Sequence, residues 1–229
     1  MIEYGYASHA GMYRRHNEDT YCADAAQAVF AVVDGMGGPG HGETAAALAC
    51  DRLHRDLRVG IALPAALQAA GDCIRAHAEA HPGRAPIGAS AAVLRIRENT
   101  FELAWVGGCR IQLAPASLFS DAPAAIPLIE AAALPAASDA EPRRASATQV
   151  LGLTAADALT ICIRSGRCTP GQSLLLCTDG LGEHVETARV AAVLARADLS
   201  PQECVDHLLL AALDNGARDN LTALLVRIR

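Results

Sequence analysis

The chain has 229 residues, of which 52% are apolar and 19% charged, and its formal net charge is −6. This composition describes a globular protein with material for a sizeable core, and it excludes a basic face for nucleic acid, which needs clustered Lys and Arg. Aromatics make up only 3%, so the core has to be built from Ala, Leu, Val and Ile.

The N-terminus, Met1-Ile2-Glu3-Tyr4-Gly5, has neither the basic nor the apolar region of an export signal. No apolar stretch is long enough to span a bilayer. A cytoplasmic chain without membrane insertion is therefore expected. The eight cysteines stand at 22, 50, 73, 109, 162, 168, 177 and 204, with no Cys-x-x-Cys pair. Without an oxidising compartment or a zinc spacing, they are expected to be buried free thiols.

Ala28 to Val33 predicts a buried strand running into a Gly-rich turn. Glu43 to Arg58 then switches to helical periodicity. A second Ala-rich helix follows from Pro64 to about His81, with Pro in its first turn and Pro82-Gly83 ending it. Ala89 to Arg97 and Phe101 to Val106 predict a hairpin, and Arg110 to Ala114 a third strand. Pro115 to Arg144 is Ala- and Pro-rich with little periodicity and reads as a long surface loop. Further strands are expected at Leu159 to Ile163, Ser173 to Cys177 and Leu221 to Ile228, with helices at about Thr187 to Ala197 and Pro201 to Leu213. One α+β domain spanning 1–229, with helices covering stacked sheets, fits this order.

Four acidic clusters punctuate these elements: Asn17-Glu18-Asp19, Asp34-Gly35-Met36-Gly37-Gly38, Asp179-Gly180 and Asp219-Asn220. Any one Asp-Gly after a strand is an ordinary turn. Their recurrence at strand ends is harder to ascribe to turns alone. A sheet that gathers such turns makes a nest of carboxylates, which needs hard cations to neutralise it. An all-oxygen ligand set favours Mg²⁺ or Mn²⁺, and two such ions about 3.5–4 Å apart can activate a water. Arg14 adds a guanidinium able to bind two oxygens of a phosphate dianion. Carboxylates, two hard metals and one Arg describe a phosphomonoesterase.

In order and spacing, Arg14-x-x-Asn17-Glu18-Asp19, Val33-Asp34-Gly35-Met36-Gly37-Gly38, Leu176-Cys177-Thr178-Asp179-Gly180-Leu181 and Asp219-Asn220-Leu221-Thr222 resemble the motifs of the bacterial type 2C metal-dependent protein phosphatases. The resemblance runs from about Gly5 to Arg227. It implies a four-layer α-β-β-α sandwich, two mainly antiparallel sheets flanked by helices, with two Mn²⁺ or Mg²⁺ ions at one end. Asp34 would bridge the ions, the Gly35 carbonyl would ligate one of them, and Asp179 and Asp219 would complete the other's shell. Glu18 would act through metal-bound water, with Asp19 and Asn220 outside the ligand shell, and Arg14 would bind the substrate phosphate. A metal-bridging hydroxide would attack phosphorus in line. The substrates would be phosphoserine and phosphothreonine in proteins. The partner would be a bacterial serine/threonine kinase or its targets, and the enzyme itself a monomer.

Three departures qualify the resemblance. The family's central hairpin commonly carries Gly-Asp-Ser-Arg, whereas this chain has Gly107-Gly108-Cys109-Arg110, so a third ion is expected to be weak or absent. Gly38-Pro39-Gly40-His41 displaces a His that relatives place directly after the second Gly. Met36 stands where some relatives carry a proton-donating His, leaving His16, His41 or metal-bound water as candidates. No Asp-His-Ser segment precedes the 115–144 stretch, where Arg143 and Arg144 are the basic residues that could steer an acidic partner. The alternative reading is a catalytically weak pseudophosphatase that binds phosphoproteins. A phosphatase for anti-sigma-factor antagonists is disfavoured by the complete Asn-Glu-Asp cluster.

Overall fold

Strands that are apolar on both faces decide the architecture. In the computed structural model, which describes residues 1–38, 40–83, 85–114, 129–130 and 149–229, the strands form two five-stranded sheets. One sheet has the order β1 (Ile2–His9), β10 (Leu221–Ile228), β9 (Ser173–Cys177), β6 (Arg110–Ala114) and β7 (Ile129–Glu130). The other has the order β2 (Asp19–Asp24), β3 (Val29–Met36), β4 (Gly88–Arg97), β5 (Thr100–Val106) and β8 (Cys162–Arg167). Every neighbouring pair is antiparallel.

Successive side chains of a strand point to opposite faces, and that period sorts the core into three layers. On β3, Phe30 and Val32 face the opposite sheet, while Val29, Ala31 and Val33 face helices. On β10, Leu224, Val226 and Ile228 point between the sheets, and Leu221, Ala223 and Leu225 point outward. The helices α1 (Gly42–Arg58) and α2 (Leu63–Ala80) cover the second sheet. The first is covered by α3 (Asp179–His184), α4 (Thr187–Leu194) and α5 (Pro201–Asp214). Ala45, Ala46 and Ala49 against Ala31, Ala89 and Ala91 let α1 sit close to its sheet, which is how a core so poor in aromatics closes. At α5, the Ser200 hydroxyl accepts from the Glu203 N–H at 3.2 Å and the Glu203 carboxylate accepts from the Ser200 N–H at 2.8 Å, a reciprocal cap. Among the described residues no helix is long and apolar enough to cross a membrane.

The four-layer sandwich matches the expectation, as do the β4–β5 hairpin and helices α1, α2 and α5. Several elements differ. The strand expected at Leu159 to Ile163 is β8, displaced to Cys162–Arg167, because an edge strand with one exposed face tolerates Ser165 and Arg167, while Arg164 on the buried face lies over the Trp105 ring. The six residues from Asp179 form a short helix rather than a simple turn, despite Gly180 and Gly182. Strands β1 and β2 were not expected. Each lies at a sheet edge and is mostly half-buried or exposed, so neither shows an apolar run. Most of 115–144, including Arg143 and Arg144, lies outside the described residues, as does Pro39. Within that stretch, Ile129–Glu130 pairs with β6 as a short strand instead of continuing the loop.

One crossing positions the site. The chain leaves β5 in the second sheet, turns through Gly107 and Gly108, and enters β6 in the first, beside β9. The turn falls where β9 ends in Cys177 and α3 begins at Asp179.

Candidate functional site

Asp19 and Asp34 are direct partners across the β2–β3 ladder. Like charges so placed repel one another. Burial, reinforced by the charges of Asp19, Asp179 and Asp219, pushes the Asp34 carboxyl up to about 8. Asp19 is only 9% exposed. Burial pushes its carboxyl up to about 6, against hydrogen bonds from Thr178 and Thr222 that favour the charged form. The Thr178 hydroxyl donates to Asp19 Oδ2 at 2.8 Å, and Thr178 Oγ1 accepts in turn from the Thr222 N–H at 3.0 Å. Ser8 Oγ lies 2.8 Å from Thr222 Oγ1 and accepts from Asn17 Nδ2 at 2.8 Å, so Asp19 is braced by polar groups of β1, of β10 and of Thr178 between β9 and α3.

Asp179 opens α3 and is half-buried. Burial, then the charges of Glu183 and Asp219, raise its carboxyl above the ordinary value. Asp219 closes the loop before β10, and Arg14 Nη2 donates to its Oδ2 at 3.0 Å. Arg14 is therefore beside the carboxylates, as the phosphate-binding reading requires, but it holds Asp219 rather than standing clear of it.

Asn220, 7% exposed, joins three segments. Its Oδ1 accepts from the Glu18 N–H at 2.8 Å, while its Nδ2 donates to the carbonyls of Ala10 and His16 at 2.9 Å each. Glu18 ties two more: its carbonyl accepts from the Gly35 N–H and its carboxylate from the Gly42 N–H, both at 3.1 Å. A Cβ at position 35 would collide with the Gly42 carbonyl, so glycine is required where β3 passes the start of α1. The Gly-rich turn thus serves close backbone approach.

The structure brings together Asp19, Asp34, Asp179 and Asp219, with Arg14, Glu18, Gly35 and Asn220 around them. Among the described residues no three His, Cys, Asp or Glu groups converge into a ready cage for an ion. Asp219 is turned to Arg14, and taking up a cation there means releasing that bond. The donor chemistry fits hard divalent cations: the ligands are oxygens, and the buried carboxylates carry mutual repulsion that two positive charges relieve. A Cβ on Gly108 would lie 3.2 Å from Asp179 Oδ2, so an acid at this position, as the resemblance leads one to expect, would have pointed at Asp179. Cys109 is buried instead against Ser90, Sγ to Oγ 3.3 Å.

Two contributors were missed in the sequence. Thr178 stands inside the Leu176 to Leu181 motif, which carries no signal that its hydroxyl holds Asp19. His184 had no signal at all. Its Nδ1 donates to the Gly180 carbonyl at 2.8 Å, its Nε2 accepts from the Arg218 N–H at 3.3 Å, and its carbonyl accepts from Asn215 Nδ2 at 2.8 Å. It thereby ties the helix that starts at Asp179 to the loop that ends at Asp219.

No family model matches the chain. Among curated sequences it is similar to the serine/threonine protein phosphatase PstP of Mycobacterium tuberculosis, 26% identical over 239 aligned residues that take in 100% of this chain and 45% of that protein. The chain thus spans about half the length of this relative. Among solved structures it is similar to PppA, described as a key regulatory component of T6SS in Pseudomonas aeruginosa, at 27% identity and a TM-score of 0.79, covering 99% of this chain and 97% of that one. The catalytic domain of PstP in complex with two manganese ions superposes with a TM-score of 0.79 at 21% identity, over 100% and 99% of the two chains, which is a likeness of fold.

Proposed function

We propose that this chain is a bacterial type 2C metal-dependent protein phosphatase that hydrolyses phosphoserine and phosphothreonine in proteins. The observation that supports this most is the group of Asp34, Asp179 and Asp219, from three separate strand ends, gathered with Arg14 beside them. Asp34, Asp179, Asp219 and the Gly35 carbonyl would hold two Mn²⁺ or Mg²⁺ ions, which supply charge neutralisation and an activated water when bound.

The chain's own groups carry the rest. Arg14 would give up its bond to Asp219 and turn its guanidinium to two phosphate oxygens, a bidentate contact that would fix the phosphorus for in-line attack. Asp19, braced by Thr178, keeps Asp34 in place from the neighbouring strand. Asn220 and Glu18 lock the approach of β2, β3, β10 and α1, so that the ligand-bearing ends cannot drift apart. The absence of an acid at Gly108 leaves the third ion weak or absent.

The enzyme works as a cytoplasmic monomer in signalling, reversing a bacterial serine/threonine kinase. The assay is phosphate release from a phosphothreonine peptide with Mn²⁺ or with chelator, using Asp34→Asn as control. Metal-dependent turnover above that control is expected. Binding of the phosphopeptide without turnover would favour the pseudophosphatase reading.

A further inference from the structure

The loop that carries Arg14 is pinned at both ends and open in the middle. The carbonyls of Ala10 and His16 both accept from Asn220 Nδ2 at 2.9 Å, so one buried amide fixes where the loop leaves β1 and where it returns towards β2. A Cβ at Gly11 would strike the Asp219 carbonyl, and the Met12 N–H donates to the Ala217 carbonyl at 2.8 Å. Loop 10–16 therefore lies directly against loop 215–219, whose backbone is held in turn by the Arg218 N–H donating to His184 Nε2 at 3.3 Å. Between these anchors five consecutive residues are exposed: Met12, Tyr13, Arg14, Arg15 and His16. Met12 and Tyr13 stand 61% and 71% exposed. Two large apolar side chains so far in solvent, on a segment so firmly held, mark a contact surface rather than a loose turn.

The charges of this surface have one sign. Asp219 is the only acid in 10–16 and 215–219, and Arg14 holds it at 3.0 Å. Arg15 follows Arg14 in the chain and Arg218 precedes Asp219, so the two cations flank that pair from either loop. Both residues are exposed, and among the described residues neither guanidinium has an ion-pair or hydrogen-bond partner. This free positive charge stands on a chain of formal net charge −6, at the rim of a nest of carboxylates.

We propose that Arg15 and Arg218 select phosphoproteins in which acidic residues flank the phosphoserine or phosphothreonine, an inference that rests on the phosphatase reading of the same site. With the phosphate on Arg14, an extended substrate advances about 3.3 Å per residue, so the neighbours of the phosphoresidue pass over the two loops that present Arg15 and Arg218. A carboxylate at those positions meets a cation that has no partner to give up. A Lys or Arg there meets like charge and is rejected. Because both loops are pinned by Asn220, Ala217 and His184, the cations keep their places beside the phosphate.

The test compares three phosphothreonine peptides of equal length, carrying Glu, Ala or Lys on both sides of the phosphoresidue, with an aryl phosphate that has no flanking residues, all at saturating Mn²⁺. In the wild type, kcat/KM is expected to be about fivefold higher for the Glu peptide than for the Ala peptide and lowest for the Lys peptide, with the spread shrinking as salt is raised. In the double variant Arg15→Glu, Arg218→Glu the order of the peptides is expected to invert while aryl phosphate turnover stays nearly unchanged. Aryl phosphate turnover with equal kcat/KM for the three peptides, or with an order that the double variant keeps, would overturn the proposal and leave the phosphatase reading standing. No metal-dependent turnover of any of the four substrates would remove the phosphatase reading and this proposal with it.

Discussion

Asp19 and Asp34 face each other across two antiparallel strands, and no cationic side chain among the described residues forms an ion pair with either carboxylate. Their carboxyls lie at about 6 and about 8, against an ordinary value of 3.8. Between these values the folded chain binds more protons than the unfolded one, so the stability of metal-free protein falls as pH rises through that window. On the proposed function, divalent cations would take the place of those protons. The rise in Tm caused by Mn²⁺ over chelator should therefore be small near pH 5 and large near pH 8. A rise that is constant with pH would contradict this electrostatic picture.

Arg14 is bonded to Asp219 while also being the group assigned to substrate phosphate. A charged hydrogen bond contributes about 1.5–3 kcal/mol, so Arg14→Ala should raise KM for a phosphopeptide about 10- to 100-fold. Because the same change frees Asp219, Mn²⁺ affinity measured by calorimetry should hold or improve. Lost metal binding would move Arg14 from substrate recognition to scaffolding.

Thr178 is fully buried with its hydroxyl on Asp19. Thr178→Val keeps the shape and removes the donor, leaving a buried carboxylate short of a partner, at a cost of about 1–3 kcal/mol. A lower Tm is expected, and Thr178→Ser should restore it. Equal behaviour of the two variants would show that packing alone matters there.

Much of this arrangement was legible beforehand, and what was missed has physical causes. Strands β3, β4, β9 and β10 lie inside their sheets and are buried on both faces, so they read as largely apolar runs, and Asp34, Asp179 and Asp219 stand out near the ends of β3, β9 and β10. Strands β1, β2 and β8 sit at edges, and their polar faces erase the pattern. The bond between Arg14 and Asp219 spans 205 positions of chain, and no local pattern encodes it. The same holds for Thr178 with Asp19, which are 159 residues apart. Motif spacing finds the carboxylates; the hydroxyls and the imidazole that hold them become visible only in three dimensions.

His184 illustrates the second group. Outer contacts of this kind change metal affinity about 10- to 100-fold when lost. His184→Phe removes both ring bonds. It should raise the Mn²⁺ concentration for half-maximal activity about tenfold, with kcat at saturating metal nearly retained. An unchanged metal titration would mean that the Asp179 helix and the Asp219 loop hold their places without it.

Gly108 offers the converse experiment. Its Cβ position lies 3.2 Å from Asp179 Oδ2. In Gly108→Asp a new carboxylate faces an existing one, so the metal-free protein should be less stable and an additional weak Mn²⁺ should bind by isothermal titration calorimetry. The same stoichiometry in both proteins would contradict the assignment of the missing third site to this position.

The central claim is that Asp34 and its neighbours form a metal-dependent hydrolytic centre. The most direct measurement is hydrolysis of an aryl phosphate, whose leaving group needs no proton, by wild type and Asp34→Asn across a Mn²⁺ titration. The account predicts turnover that rises with Mn²⁺ in the wild type, disappears with chelator, and is lost in Asp34→Asn at every metal concentration. Turnover that survives the chelator, or an Asp34→Asn protein as active as the wild type, would contradict it.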